Sequence, residues 1–155
     1  MAISISIEVS RNFDVSADLD KVFALLSDVP ASASFFPKVQ QLTDLGDNSY
    51  RWEMEKVGLD KHALQTVYAS RYHADKEKRL ITWEPVKGVG NGEVSGFWKL
   101  LPGDGKTSLQ FSTKATLELP LPGLLKLAIS PVVKHEFSSL LDTYIANLQR
   151  HFAAA

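Results

Sequence analysis

From Ile3 to Val15 the chain alternates apolar and polar positions, with Ile3, Ile5, Ile7 and Val9 set against Ser4, Ser6, Glu8 and Ser10. A period of two predicts a strand with one buried face. After Val15 the period lengthens. Leu19, Val22, Phe23, Leu26 and Val29 recur at steps of three and four, which predicts a helix with one apolar face. Ser16 is placed to cap it, Asp18 and Asp20 suit the positive end of its dipole, and Pro30 stops it. Residues 31–36 fit one more helical turn, ended by Pro37 and presenting Phe35 and Phe36.

Between Lys38 and Leu119 the pattern returns to strands separated by turn residues. Gly46-Asp47-Asn48 and Gly58-Leu59-Asp60 read as turns, and Pro102-Gly103-Asp104-Gly105 is the strongest hairpin signal. Tyr50, Trp52 and Met54 alternate with Arg51, Glu53 and Glu55, so both glutamates are expected to face away from the interior. In a long run from His62 to His73, Thr66, Tyr68, Ser70 and Tyr72 share one parity, and Arg71 and His73 share the solvent side. Leu80–Glu84 and Val94–Leu101 are further strands, although the facing of Trp83 stays open. Leu109, Phe111, Thr113, Ala115, Leu117 and Leu119 then point one way along a last strand. Six strands joined by short turns predict an antiparallel meander.

The chain ends in a helical repeat that includes Val133, Phe137, Leu140, Leu141, Tyr144, Ile145, Leu148 and Phe152. Pro131 either kinks one long helix or opens a fresh one capped by Ser130. From Pro131 to Phe152 such a helix is about 33 Å long.

Composition narrows the chemistry. The 155 residues suit one domain spanning 1–155, and the absence of cysteine excludes thiolate nucleophiles and cysteine metal sites. With 17 basic against 18 acidic residues, a broad nucleic-acid surface is not expected. The longest apolar run, Val22–Leu26, is far short of the ~20 residues of a membrane span. Without a signal-peptide pattern at the start, a cytoplasmic location is the expectation. His62, His73, His135 and His151 lack ligand spacing, and His135-Glu136 has no second histidine four residues on, so no metal or other cofactor is indicated. Gly88–Gly92 is followed by a strand, not a helix, and so is a connection rather than a phosphate loop. Lys76, Lys78 and Arg79 with Asp75 and Glu77 form a solvated charged turn.

Phe13-Asp14-Val15-Ser16 leading into Val22–Pro30, the Phe35-Phe36-Pro37 entry, Gly96-Phe97-Trp98-Lys99-Leu100 before a Gly-Asp-Gly hairpin, and the long terminal helix together carry a resemblance. Over essentially its whole length the chain resembles the helix-grip START/SRPBCC superfamily, which includes pollen-allergen-like, polyketide cyclase/dehydrase and lipid-transport proteins. The resemblance implies an α+β fold. A seven-stranded antiparallel curved sheet wraps around the long C-terminal helix, with two short helices after strand 1. It also implies a cavity between sheet and helix for an apolar small molecule, and a lid role for residues 86–92.

On that basis the expected lining is Trp52, Met54, Tyr68, Trp98, Phe111 and Thr113 from the sheet, with Val133, Phe137 and Leu141 from the helix. The inward aromatic set also includes Tyr50, and Phe35 and Phe36 stand where they can gate an opening. No catalytic residue is assigned. A polyketide cyclase/dehydratase-type enzyme is the alternative, with Tyr68 or Tyr72 as the inward acid. A second alternative is a docking accessory protein, similar to the branch of the superfamily that accompanies carbon-monoxide dehydrogenase. It would make peripheral membrane contact through an apolar hinge at Leu121 and Leu124. Both a monomer and a homodimer fit the sequence.

Overall fold

The computed structural model describes residues 3–59 and 62–153. Strand β1 (Ile3–Val15) pairs antiparallel along its full length with β9 (Thr107–Leu119), and buried residues alternate with exposed ones on both. The remaining strands of this sheet are β2 (Val39–Gly46), β3 (Ser49–Met54), β6 (Val67–Asp75), β7 (Leu80–Pro85) and β8 (Gly92–Pro102). The sheet has seven antiparallel strands in the order β1-β9-β8-β7-β6-β3-β2. Asp47 and Asn48 turn the β2–β3 hairpin, both at positive φ, as the twist of a tight hairpin requires.

Helices α1 (Leu19–Ser27) and α2 (Val29–Ala33) follow β1. Asp18, not the expected Ser16, caps α1 by accepting a hydrogen bond from the Lys21 amide at 2.9 Å. Asp28 both ends α1 and caps α2, so Pro30 sits in the first turn of a second helix, where its missing N–H costs little. A 3₁₀ turn (Gly123–Leu125) leads into α3 (Lys126–Ala153), which is 28 residues and about 42 Å long. Pro131 lies inside α3, and the helix continues through it without a fresh cap at Ser130. Proline cannot donate to the Leu127 carbonyl four residues back, but Leu127 is exposed and water can serve that oxygen.

Two expectations change in the middle of the chain. The run from His62 to His73 is broken at Gln65 and Thr66, and a separate hairpin pairs β4 (Val57–Leu59) with β5 (His62–Leu64). Gly58 and Leu59 therefore belong to a strand, and Asp60 of the expected turn lies outside the described residues.

Residues 86–92 lead from β7 into β8. Where β7 stops at Pro85, β6 and β8 close the gap directly. Ser70 Oγ donates to the Val94 carbonyl, and Asn91 binds in several directions at once. Its Oδ1 accepts from the Val67 amide, and its Nδ2 donates to the carbonyls of Gln65 and Glu118. Its backbone N–H donates to the Val67 carbonyl, and its own carbonyl accepts from the Glu118 amide. Gly90 has φ +67°, and a Cβ there would lie 2.1 Å from the Val67 carbonyl oxygen, so only glycine fits the approach. This connection braces the strand ends at Val86, Gly90 and Asn91.

Candidate functional site

The concave side chains of β8 and β9 grade from large to small. Leu100, Trp98, Leu109 and Phe111 fill one end, where α1 contributes Val22, Phe23 and Leu26 to the same core. Toward the other end stand Gly92, Val94, Ala115 and Leu117. The space left over forms two adjoining chambers.

The inner chamber is small, about 60 Å³, and largely aromatic, with Trp52, Tyr68, Tyr72, Trp83, Trp98, Phe111 and Tyr144 among its walls. Thr113, Phe137, Leu141 and Ser32 complete much of the rest. Its rings are held by one another. Trp52 stacks on Tyr68 at 5.8 Å between centroids, and Phe111 lies 4.5 Å from Trp98. Gly96 has no Cβ, which would otherwise meet the Trp83 ring at 2.6 Å, so β8 lets that indole lie across it.

The outer chamber measures about 300 Å³. Its walls are Met54, Leu64, Thr66, Val94, Ala115, Leu117 and Leu119 on the strand side and Val132, Val133, Phe137 and Leu140 on α3. Phe36, Tyr68, Val94 and Phe137 face both chambers and form the partition between them. Charge appears at the outer chamber alone, from Lys38, Glu55 and Glu136. Lys38 Nζ lies 2.9 Å from Glu136 Oε1, an exposed ion pair linking the start of β2 to α3. Glu136 holds the Lys38 ammonium above its usual pKa. Glu55 does not face away as expected. It follows the end of β3, where strand alternation lapses, and its amide bonds the Lys38 carbonyl at 2.8 Å.

Three tyrosines, Tyr144 buried and Tyr68 and Tyr72 half-buried, differ in what their hydroxyls do. Tyr72 accepts from Trp52 Nε1 at 3.0 Å, and Tyr144 pairs with Ser32. The Tyr68 hydroxyl makes no hydrogen bond to any described residue, and the surface that Tyr68 retains faces the chambers. Burial raises all three pKa values, that of Tyr144 to about 12, with the Trp52 hydrogen bond partly opposing the rise at Tyr72. At neutral pH these phenols are protonated and can donate hydrogen bonds, not abstract protons. Thr113 Oγ1 already donates to the Ser95 carbonyl at 3.2 Å and can only accept from a guest.

All nine residues named from the sequence lie on these walls, but they do not form one surface. Trp52, Trp98, Phe111, Thr113 and Leu141 line the inner chamber, Met54 and Val133 the outer, and Tyr68 and Phe137 both. Tyr50 packs against Tyr72 at the sheet's edge and lines neither chamber. Phe36 stands at the partition, whereas Phe35 packs on His151. Sequence reading missed Trp83 and Tyr144, although Tyr144 falls one helical repeat after Phe137 and Leu141. It also missed the Lys38–Glu136 pair, for which a separation of 98 positions leaves no local signal. Leu121, which the docking alternative would need exposed, is fully buried beyond the end of β9, while Leu124 is exposed.

The profile of the polyketide cyclase/dehydrase and lipid transport family matches residues 6–153, and the chain belongs to that family. Its fold recurs in a protein of Thermus thermophilus, with TM-score 0.68 at 16% identity, covering 95% of this chain and 97% of that one. A START superfamily protein from Mycobacterium smegmatis is similar with TM-score 0.66 at 19% identity, over 95% and 97% of the two chains. The Zhui aromatase/cyclase from Streptomyces sp. R1128 gives 0.58 at 17% identity, over 92% and 88%. No curated protein sequence matches significantly. Among the described residues, no helix is long and apolar enough to cross a membrane.

Proposed function

We propose that this protein binds an apolar small molecule of the lipid, polyketide or aromatic-metabolite class between its sheet and α3. The observation that carries the reading is a hollow of about 300 Å³ with apolar walls, opening on a phenol that no other described residue engages. That volume lies at the lower end of the roughly 300–1,000 Å³ usual for small-molecule sites. In this reading the guest's body rests against Met54, Val133 and Phe137, and Tyr68 donates a hydrogen bond to a guest oxygen. Trp52, Trp98, Phe111, Thr113 and Leu141 form the deeper wall that a flat or branched end approaches. Burying roughly 300 Å² of apolar guest surface gains on the order of 7 kcal/mol before ordering costs. The family's description, which joins polyketide chemistry to lipid transport, agrees with such a guest.

Native purification followed by mass spectrometry is expected to find apolar molecules travelling with the protein, and a lipid and polyketide panel should raise its melting temperature. A clean preparation that no member of the panel stabilises overturns the reading. The place of Tyr68 on both chambers, with its hydroxyl unengaged by any described residue, supports a second reading, in which it acts as the proton donor of a cyclase/dehydratase. Replacing Tyr68 and Tyr72 together by phenylalanine would then abolish turnover while binding persists, and unchanged turnover removes this reading.

A further inference from the structure

Residues 119–135 contain Lys126 and Lys134 and no Asp or Glu, in a chain whose net charge is -1. Within this acid-free stretch Leu124 is 95% exposed and Leu127 is 91% exposed, far beyond any other large apolar side chain described. Helical spacing puts Leu127, Pro131 and Lys134 on one side of α3 at steps of four and three, and Leu124 precedes them by one further step of three. That side is turned away from the one on which Ile129, Val133 and Phe137 meet the core and the cavity. The outward leucines are therefore not an overflow of the apolar stripe that the fold needs.

We infer that the first turns of α3, with the 3₁₀ turn before them, form a docking face for an anionic lipid bilayer. Leucines enter the acyl boundary, and the long stem of Lys134 lies alongside them, with Lys126 flanking the patch, so that ammonium groups stand among anionic headgroups. The local charge selects this occupant. A second copy seated on the same patch about a two-fold axis would bring lysines against lysines, whereas a bilayer bearing phosphatidylglycerol offers negative charge above hydrocarbon. This face is independent of the ligand reading, because neither Leu124 nor Leu127 lines a chamber.

Sedimentation with vesicles tests it, using phosphatidylcholine alone and phosphatidylcholine mixed with phosphatidylglycerol. The full chain is expected to sediment with the mixed vesicles and to be released as salt rises. Leu124→Ser/Leu127→Ser is expected to bind those vesicles at least about tenfold more weakly. Its circular dichroism and melting should match the parent, since both side chains stand in solvent. The inference is overturned if the parent stays in the supernatant with mixed vesicles, if it binds both vesicle types equally, or if the double variant sediments like the parent. A concentration-dependent dimer that the double variant loses assigns the face to a second copy and overturns it too.

Discussion

At one end of β8 and β9 the concave face carries Trp98, Leu100, Leu109 and Phe111; at the other it carries Gly92, Val94, Ala115 and Leu117. The strands are the same pair, joined in unbroken register from Gly92↔Leu117 to Pro102↔Thr107. The helix above them changes in step. Leu141, Tyr144, Leu148 and Phe152 are buried in its second half, whereas Val132, Val133, Glu136 and Phe137 in its first half remain partly open, with Ile129 alone of that half buried. The backbone supplies one continuous grip, and side-chain volume decides where it is filled. Close-packed interiors leave few hollows of this size, since unfilled volume forfeits contacts on every wall.

The largest expected contrast is in stability. Leu148→Ala removes a fully buried side chain from the filled end and should cost about 2–5 kcal/mol. Leu140→Ala, in the roof of the outer chamber, should cost no more than about 1 kcal/mol. Urea unfolding measures both, and equal losses would show the two ends to be packed alike.

Alkali provides the next contrast. Below pH 10 the buried tyrosines are protonated in folded and unfolded chains, and their environment costs nothing. Above it the unfolded chain ionises while the folded chain resists, so stability falls as pH rises toward the folded value of about 12 at Tyr144. Tyrosinate absorbance should therefore rise together with loss of circular dichroism. Free ionisation of Tyr68, Tyr72 and Tyr144 in a folded chain would contradict their burial.

Filling the hollow should separate binding from folding. Ala115→Leu places new carbon in the outer chamber, where it should leave urea stability within about 1 kcal/mol and weaken an apolar probe at least tenfold. The finest test compares two phenols. Tyr68→Phe should weaken a carbonyl-bearing probe by roughly three- to tenfold without changing stability, because its hydroxyl has no described partner to lose. Tyr144→Phe should leave the probe unaffected in that respect but cost about 1 kcal/mol through the orphaned Ser32 hydroxyl.

How much of this could be read from the chain follows the same division. β1 and β9 show their full extent in sequence, because one buried face enforces strict alternation over 13 residues each. Much of the inner wall was legible for the same reason, Trp83 and Tyr144 excepted. The outer wall was legible only at Met54, Tyr68, Val133 and Phe137. Met54 obeys parity, but Glu55 lies one step past the strand end, and Leu64 belongs to a short hairpin whose break at Gln65 and Thr66 leaves no mark in hydrophobic pattern. Ser16 lost the cap to Asp18 because either residue type can accept the bond, and only backbone geometry chooses between them. The sequence left Leu121 open between docking and packing, since an apolar residue between prolines has no period to follow.

The Asn91 brace has a consequence for traffic. Every polar group of that residue is engaged, so parting the ends of β6, β8 and β9 means breaking several hydrogen bonds together, each worth about 1 kcal/mol net. Across the outer chamber, the Lys38–Glu136 pair is a single exposed contact worth at most about 1 kcal/mol. On the proposed function, guest exchange is then a motion of the helical side, where the Lys38–Glu136 contact is the weaker one. Its on- and off-rates should quicken with ionic strength while the strand ends stay still.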